Sequence, residues 1–336
     1  MVCSETRTST FLDGQIVLYR PARLSVCLVS KAASTVWLRF LKLLHNKDKS
    51  STQVLSIDKW HVHHKYSRKL ERLQGDDIKS ATQMTKILTA RNPYTRLWSA
   101  YVDKFHFPGF FAIGREIIEK YRPNATAREI ACSHNVTFEE FIKFVIGERN
   151  RRGPSSSHWL PVSEICGPCE LKPDFIVKQE TLGQDIKAIL EHVGLSDDVG
   201  DFFTNKKEET TLDDELDVHF RGFLNVNNCM SETQYLRKIW QGLLINGYIQ
   251  PRAEFGDLFE KLPFNLTVVL DTVRALRKRY VVDKQMTKHL RHMAMVKAYE
   301  QISTKKMAAL QKLYEVDFKM FNYNRDIFAI SNANQR

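Results

Sequence analysis

The sequence predicts an α/β domain with a central, mostly parallel sheet covered by helices on both faces, followed by a mainly helical C-terminal region. Residues 24–29 and 86–90 are short apolar runs typical of buried strands, and each leads into apolar residues at helical spacing. From Ser231 onward, helical spacing dominates. Ligands of such sheets bind at the carboxyl ends of the strands, so the turns after these two runs are the expected functional positions.

The remaining elements are assigned by the same criteria, in chain order. Residues 1–20 are interpreted as a lead-in, and a loop with a short helix is expected over residues 46–80. Helices are predicted over 34–45, 94–105, 113–121, 138–146 and 184–193, with a further strand over 174–178. We expect one domain over residues 21–324 that contains an insertion at about 203–295, and a tail over 325–336.

Composition narrows the class of protein. A chain of 336 residues that is 43% hydrophobic can bury a substantial core. Its net charge of +11 indicates an anionic partner, which leaves nucleic acid, acidic lipid and acidic polysaccharide open. No GxxxxGK[ST] sequence is present, which argues against a P-loop nucleoside triphosphatase. No apolar stretch reaches about 18 residues, and residues 1–13 lack the apolar core of a signal peptide.

Six cysteines and three Asn-x-Ser/Thr sequons favour a secretory context. Cys166-Gly-Pro-Cys169 is compatible with a redox pair, half a zinc site or structural disulfides. Disulfides are favoured because no second pair has zinc spacing and no thioredoxin-like pattern surrounds the motif. Cys27 lies in a predicted strand and is expected to be an inert core thiol. The sequons, candidate glycosylation sites, begin at Asn124, Asn135 and Asn265.

The turn after the first strand carries Lys31. It lies between the strand of residues 24–29 and a helix that Ser34 or Thr35 caps. Backbone N–H groups and the positive end of a helix already favour an anion at such a turn. Trp37 repeats at helical spacing with the apolar residues after it, so we assign it to the core.

The turn after the second strand carries Arg91, followed by an Asn-Pro turn and a helix. Ser99 lies eight residues further, about two helical turns along. A guanidinium forks onto two phosphate oxygens and a hydroxyl takes a third, so this spacing is compatible with a phosphate site. A solvated arginine in an ordinary strand–turn–helix unit is the alternative.

Five blocks in order resemble the Golgi carbohydrate sulfotransferases of the HNK-1 / chondroitin 4-O-sulfotransferase family. Residues 30–39, SKAASTVWLR, resemble the family's PKxxCTNWKR, and residues 91–105, RNPYTRLWSAYVDKF, resemble RxPFxRLxSAYxxKF. Residues 137–141 resemble TFxEF, residues 158–182 resemble HWxP…CxPC…DFxxKxETL, and residues 313–323 resemble LYxxDFxxFxY. Ser30 and Val36 depart from the family's proline and asparagine.

The resemblance implies a P-loop-like three-layer fold and sulfate transfer from 3′-phosphoadenosine 5′-phosphosulfate, with no metal. Lys31 is then the group that stabilises the leaving oxygen. Residues Ala32, Ala33, Ser34 and Thr35 are implied at the 5′-phosphate, and Arg91 and Ser99 at the 3′-phosphate. Family members are type II membrane proteins, which implies a Golgi lumenal location with a membrane anchor that is not visible in this sequence.

The general base has two leading candidates, since histidine is the natural base near neutral pH. His63 lies between the two donor motifs, where related uronyl 2-O-sulfotransferases carry His-x-His, and His158 belongs to the family's HW block. His61 and Glu180 rank behind them. A structural or surface role is the alternative for each.

The acceptor is expected to be an anionic glycan, with the 4-hydroxyl of N-acetylgalactosamine in chondroitin or dermatan as first choice and the 3-hydroxyl of glucuronic acid as an alternative. Candidate acceptor-binding residues are Arg149, Arg151, Arg152 and Lys178. Two other readings stay open: a non-catalytic glycan-binding relative and, more remotely, a basic nucleic-acid-binding protein. We expect no nucleic-acid partner.

Overall fold

The computed structural model describes residues 3, 14–45, 51–74, 80–81, 83–107, 109–148, 156–195, 208–251 and 261–327. The chain divides into two compact units. Unit 1 comprises residues 1–97, 153–210 and 313–325, and unit 2 comprises residues 98–152, 211–312 and 326–336. The domain limits expected from the sequence, including the insertion at about 203–295, stay predictions.

Unit 1 contains a mixed sheet whose described strands number five. They are β1 (Ile16–Tyr19), β2 (Leu24–Cys27), β3 (Glu71–Arg72), β4 (Thr85–Ala90) and β5 (Phe175–Lys178), in the order β3-β1-β2-β4-β5. β4 pairs in parallel with β2 on one side and β5 on the other. β1 pairs antiparallel with β2 and β3. The predicted parallel centre of the sheet is confirmed, and the antiparallel strands lie on one side of it.

Strand β1 corrects the assignment of residues 1–20 to a lead-in. Its four residues, Ile-Val-Leu-Tyr, are all buried, so they show no alternation of apolar and polar positions. A 3₁₀ turn over Arg20–Ala22 and the left-handed residue Arg23 reverse the chain into β2. The two residues of β3 were also missed, within the stretch 46–80 expected to be loop and short helix.

The helices of unit 1 include those predicted over 34–45, 94–105 and 184–193, together with short helices that the apolar spacing did not predict. α1 (Ser34–His45) matches its predicted bounds, and α2 (Ser51–Leu55) follows it. α3 (Lys59–His61) continues into a π-helical turn over Val62–Tyr66 and a 3₁₀ turn over Ser67–Lys69. The other helices are α4 (Pro93–Tyr101), which ends in unit 2, α8 (Val162–Cys166), α9 (Pro168–Leu171), α10 (Leu182–His192) and α16 (Glu315–Met320).

Each face of the sheet has its own hydrophobic core. On one face Trp37 and Phe40 of α1 pack with strand residues such as Val26. On the other face Leu88 of β4 packs with Val162 of α8. The assignment of Trp37 to the core is confirmed, and its Nε1 donates a hydrogen bond to Thr89 Oγ1 at 2.8 Å. Helices on both faces give the predicted three layers.

Unit 2 is helical in all the secondary structure described for it. Its helices are α5 (Phe111–Tyr121), α6 (Ala127–Cys132), α7 (Phe138–Glu148), α11 (Glu208–Gly222), α12 (Glu232–Ile245), α13 (Leu266–Arg279), α14 (Lys284–Glu300) and α15 (Thr304–Leu313). The mainly helical region expected from Ser231 onward is confirmed over the described part. Aromatic rings form much of the packing: Phe138 lies edge-on to both Tyr101 and Tyr299. Among the described residues, no helix combines the length and apolarity that a membrane crossing requires.

All six cysteines form disulfides: Cys3–Cys169, Cys27–Cys166 and Cys132–Cys229. Disulfide use by Cys166-Gly-Pro-Cys169 is confirmed, and each cysteine pairs with a distant partner. Gly167, with φ of 51°, ends α8 and separates the two cysteines into different helices. The expectation of an inert Cys27 thiol was wrong, because the residue is buried as predicted but bonded to Cys166.

Candidate functional site

The turn that carries Lys31 joins β2 to α1 at the carboxyl edge of the sheet. Lys31 and Ala33 have left-handed backbones, with φ of 66° and 60°, on either side of the buried Ala32. The Ala32 N–H donates to the Val29 carbonyl oxygen at 3.1 Å, and the positive end of α1 begins at Ser34. The start of α1 therefore favours an anion beside the Lys31 turn, which contains no glycine.

Arg91 lies directly against this turn. Its Nη1 donates to the Lys31 carbonyl oxygen at 2.7 Å, and its Nε donates to Thr95 Oγ1 at 3.1 Å. Parallel pairing of β2 with β4 brings the ends of the two strands together. The prediction that both motifs follow the carboxyl ends of strands is confirmed; the two strands are neighbours, and the Arg91 guanidinium links the two turns.

Beneath the turn lies a buried arginine that sequence reasoning left out of the site. The Arg96 guanidinium donates to the carbonyl oxygens of Ser30, Ser157 and Leu160, at 3.0, 2.7 and 2.5 Å. These carbonyls belong to two chain segments, the Lys31 turn and the segment that contains His158. Arg96 thus holds the two segments together. The signal was available, because Arg96 belongs to the RxPFxRL block.

Asp317 supports the second of these segments. The buried carboxylate accepts hydrogen bonds from the backbone N–H groups of Val162 and Ser163, at 2.6 and 2.9 Å. Burial raises the pKa of Asp317 and lowers the pKa of Arg96, and the charge of each residue opposes the shift of the other. Arg96 therefore fixes residues 157 and 160, which flank His158, and Asp317 fixes residues 162 and 163 at the start of α8.

His63 contacts the start of α1, and His158 lies in a segment that contacts the Lys31 turn. His63 Nε2 is 2.9 Å from Thr35 Oγ1, and His158 Nδ1 is 3.1 Å from Ser156 Oγ. The hydroxyl of Ser157, next to His158, lies 3.2 Å from that of Ser30. His61 instead contacts Asp58, at 2.5 Å. His63 and the segment that contains His158 therefore approach residues 30–35 from two different parts of the chain.

A second polar group occupies the ends of β4 and β5. Glu180 accepts hydrogen bonds from the Asn92 N–H at 3.0 Å and from the Tyr323 hydroxyl at 2.9 Å. Burial, followed by the charge of Glu180, raises the pKa of Tyr323. The Lys178 ammonium lies 4.9 Å from the centre of the Tyr323 ring. Tyr323 was missed as a site residue although it ends the LYxxDFxxFxY block.

The other predicted residues are placed as follows. Ser99 lies half-buried on the last part of α4, after the chain has entered unit 2, and its role stays a prediction. Arg149, Arg151 and Arg152 lie outside the described residues. Asn124, Asn135 and Asn265 are all exposed; the Asn135 side-chain oxygen accepts from Arg122, and that of Asn265 from the N–H of Val268.

A cluster in unit 2 has the composition of a metal site but not its chemistry. Cys132, His134 and Cys229 are the one group of possible metal ligands that the described residues bring together. The two cysteines are joined in a disulfide, so they offer no thiolate. The cluster is therefore a disulfide with a neighbouring histidine.

Comparison with known proteins decides the family. A family model described as the sulfotransferase family matches residues 15–242, which is more than half of the chain. The chain belongs to the sulfotransferase family.

The similar curated proteins are carbohydrate sulfotransferases. Carbohydrate sulfotransferase 9 of Homo sapiens is 32% identical over 199 residues, which cover 57% of this chain and 43% of that protein. Carbohydrate sulfotransferase 11 of Mus musculus is 30% identical over 222 residues, 63% of this chain and 61% of that protein. Carbohydrate sulfotransferase 10 of Mus musculus is 31% identical over 208 residues, which cover 57% of this chain and 56% of that protein. The chain spans about half the length of these relatives. No solved structure gives a significant match.

The sulfotransferase match covers the described parts of the site that precede residue 242. These include the Lys31 turn, Arg91, Arg96 and both histidines. Asp317 and Tyr323 lie beyond it. The contacts of Tyr323 with Glu180 and of Asp317 with residues 162–163 therefore join the C-terminal part of unit 1 to the matched region.

Proposed function

We propose that this chain transfers the sulfuryl group of 3′-phosphoadenosine 5′-phosphosulfate to a hydroxyl of an anionic glycan. The observation that carries the proposal is the hydrogen bond from Arg91 to the Lys31 carbonyl, because it joins the two phosphate motifs of the family in one place. Membership of the sulfotransferase family implies the donor. Roles of individual residues are part of the proposal.

The Lys31 turn fits the 5′ end of this donor. The positive end of α1 favours a phosphate, and we assign the backbone of Ala32 and Ala33 and the hydroxyls of Ser34 and Thr35 to its surroundings. Arg91, together with Ser99 as the family motif implies, is assigned to the 3′-phosphate. That second phosphate distinguishes this donor from ATP, and a guanidinium can bind it through two parallel hydrogen bonds.

The transfer step needs in-line geometry, charge stabilisation and a base. The acceptor hydroxyl oxygen forms a bond to sulfur while the bond from sulfur to the bridging phosphate oxygen breaks. The electron pair of the broken bond stays on that oxygen, where the Lys31 ammonium stabilises the charge. The hydroxyl proton passes to a histidine, either His63 or His158. A neutral imidazole ring can accept such a proton near neutral pH.

The two histidines predict different outcomes. His63 already contacts Thr35, a residue assigned to the donor, so its loss is expected to weaken donor binding as well as turnover. His158 contacts Ser156 in its own segment, so its loss as the base is expected to lower turnover with donor affinity unchanged. Separate measurement of donor affinity and of the turnover number at saturating donor assigns the base.

For the acceptor we propose a glycosaminoglycan, with the 4-hydroxyl of N-acetylgalactosamine in chondroitin or dermatan first. The net charge of +11 supports an anionic polymer, and the similar curated proteins support a carbohydrate. Lys178 is the described candidate for contact with acceptor carboxylates or sulfates, at the edge of the sheet beside Tyr323. The choice of hydroxyl rests on the family resemblance.

We further propose that the chain works in the Golgi lumen, as the family's type II proteins do. Three disulfides support an oxidising compartment, and three exposed sequons support passage through the secretory pathway.

The test combines binding with transfer. Calorimetric titration with adenosine 3′,5′-bisphosphate is expected to give saturable binding, and radiolabelled donor is expected to label desulfated chondroitin. Neutral polysaccharides, tyrosine peptides and small phenols serve as other acceptors. Label on phenols or peptides alone would refute the glycan assignment, and label on glucuronic acid would change the hydroxyl only. Nucleotide-independent glycan binding without transfer would identify a non-catalytic relative.

A further inference from the structure

Unit 1 contains a cavity of about 570 Å³ beside α1, separate from the Lys31 turn. Its lining includes five basic side chains: Lys42 and His45 from α1, and His61, Lys65 and Lys69 from the helical segment 59–69. The volume lies in the range of about 300–1,000 Å³ that pockets for small ligands occupy. A cavity of this size accommodates a sugar unit with its charged substituents.

The cations that line this cavity are Lys42, Lys65 and Lys69, whereas His61 is paired with Asp58 at 2.5 Å. The lining of the cavity contains no acidic side chain, and its three non-basic members are Ile57, Tyr66 and Leu70. Lys65 and Lys69 are exposed, on consecutive turns of one segment. Cations crowded around one concave surface repel each other, and an anion that binds there relieves the repulsion. An apolar floor with a cationic rim suits a ligand that is ring-shaped and negatively charged.

The cavity lies along the same two elements as the proposed donor site. His63 contacts Thr35 near the start of α1, and the Tyr66 hydroxyl lies 2.8 Å from His45 Nδ1 at the end of α1. Thr35 and Lys42 are seven residues apart, so they share one face of α1 at about 10 Å separation along the axis. The interface between α1 and segment 59–69 therefore runs from the donor turn to the cavity.

We propose that this cavity is an anion subsite that binds a carboxylate or sulfate of the acceptor polysaccharide, on a sugar neighbouring the one that is sulfated. The inference rests on the proposed function for the identity of the polymer. The cavity lies about two helical turns from Thr35. A polysaccharide whose reacting hydroxyl lies at the donor turn can therefore reach the cavity with a nearby sugar. The subsite adds affinity for polymers and takes no part in the transfer step.

The test uses two matched pairs of exposed lysines. Lys65→Gln/Lys69→Gln removes two charges four residues apart at the cavity. Lys284→Gln/Lys288→Gln removes two charges with the same spacing on α14 of unit 2. Both variants have the same net charge, so they differ only in the place of the loss. Initial rates are measured with desulfated chondroitin and with a neutral N-acetylgalactosamine glycoside, and adenosine 3′,5′-bisphosphate affinity is measured for each protein.

For the cavity pair we expect the KM for chondroitin to rise about tenfold, which corresponds to about 1.4 kcal/mol. The turnover number, the KM for the neutral glycoside and the nucleotide affinity are expected to stay at the wild-type values. The rise should shrink as salt is added, because screening weakens exposed charge pairs. The α14 pair is expected to match the wild type in every measurement.

Equal KM values for the two pairs with chondroitin would overturn the subsite while sulfate transfer still stands. A fall in turnover number for the cavity pair would also overturn it, since these lysines would then act on the chemistry. If the wild-type protein transfers no sulfate, the proposed function fails, and calorimetry with chondroitin sulfate oligosaccharides still tests the subsite: tenfold weaker binding by the cavity pair supports it. Tighter, cavity-dependent binding of a DNA oligonucleotide would overturn the polysaccharide assignment.

Discussion

Units 1 and 2 bury different kinds of groups. In unit 1, buried polar side chains bind backbone: Arg96 holds three carbonyl oxygens and Asp317 holds two N–H groups. In unit 2, aromatic rings pack on each other, such as Phe138 on Tyr299 and Phe107 on His219, and the buried Glu140 is a local exception that accepts from the N–H of Thr137. The contrast separates a region built to fix loop positions from one built to fill helix interfaces.

Substitutions in the two units should therefore have different effects on activity and stability. A loop held by charge-assisted hydrogen bonds has a defined position, which a transfer reaction requires, because small displacements of reacting groups cost much of the rate. Aromatic packing contributes mainly burial of apolar area. We therefore expect substitutions in unit 1 to affect donor binding or transfer, and core substitutions in unit 2 to affect stability alone.

The largest effect is expected from Lys31→Ala. The variant loses the cation proposed at the leaving oxygen, and a single electrostatic group of this kind contributes about 10²–10³ in turnover. Its thermal midpoint should stay close to that of the wild type, because Lys31 is half-buried in a turn. Transfer of labelled sulfate is the measurement. Lys288→Ala, at an exposed site of unit 2, is the control and should leave turnover unchanged; normal turnover in the Lys31 variant would end the mechanistic proposal.

Arg96→Met should destabilise unit 1 by about 3 kcal/mol or more, since the carbonyl oxygens of Ser30, Ser157 and Leu160 lose their partner at about 1–3 kcal/mol each. Arg96→Lys, which keeps the charge with a single ammonium group, should recover part of the loss. Urea unfolding measures both variants, and nucleotide affinity should fall with them because the Lys31 turn loses its support. Arg279→Met, at an exposed position of unit 2, is the control. If Arg96→Met keeps the stability and nucleotide affinity of the wild type, Arg96 does not position the Lys31 turn.

The local elements of this fold were predictable from sequence, and its long-range pairings were not. β2 with α1 and β4 with α4 follow from apolar periodicity within short windows, and α1 matched residue for residue. Strand β1 was missed because, unlike β2 and β4, it is not followed by apolar residues at helical spacing that would mark a strand–turn–helix unit. Its assignment requires knowledge of its neighbour β2.

The same distinction holds for the candidate site. Lys31 and Arg91 lie directly after recognisable strands, and parallel pairing alone brings them together. The contacts of Arg96, and those of Glu180 with Tyr323 at a separation of 143 residues, depend on tertiary structure that one sequence does not encode locally. The disulfide of Cys27 also joins residues 139 positions apart, so spacing could not identify its partner.

Arg91→Ala is expected to weaken binding of adenosine 3′,5′-bisphosphate by about 1.5–3 kcal/mol, the contribution of a charge-assisted hydrogen bond to phosphate. The variant also loses the bond to the Lys31 carbonyl, so part of the effect can come from a displaced turn. Titration with adenosine 5′-monophosphate separates the two causes. A loss confined to the bisphosphate indicates direct contact with the 3′-phosphate, whereas equal losses for both nucleotides indicate a displaced turn and contradict the assignment.

Gly242→Ala tests the packing of unit 2. A Cβ at this position would lie 1.8 Å from Cζ of the buried Phe107, whose ring stacks on His219 at 3.4 Å. Overpacking costs about 1–3 kcal/mol, and the higher helix propensity of alanine returns about 1 kcal/mol. We expect a net loss of up to about 2 kcal/mol in urea unfolding with unchanged nucleotide affinity. Gln241→Ala, exposed on the same helix, is the control; reduced nucleotide affinity in the glycine variant would erase the distinction between the units.

The smallest effect concerns Lys238 of unit 2, a half-buried residue whose pKa burial lowers from 10.5 to about 8. In the unfolded chain this lysine takes up its proton as pH falls through about 10.5, whereas in the folded protein it does so only near 8. The charged form is thus disfavoured by folding, and its contribution to stability falls between about pH 10.5 and 8 and stays low below that. The neighbouring His106 and His134 both have lowered pKa values and do not titrate in this window.

Lys238→Met should therefore raise the thermal midpoint at pH 7, and the gain should diminish as pH approaches 10. Lys288→Met, at an exposed site, should show no such trend. A gain for Lys238→Met that is independent of pH would mean that the methionine improves packing and that the lysine's charge is not disfavoured in the fold.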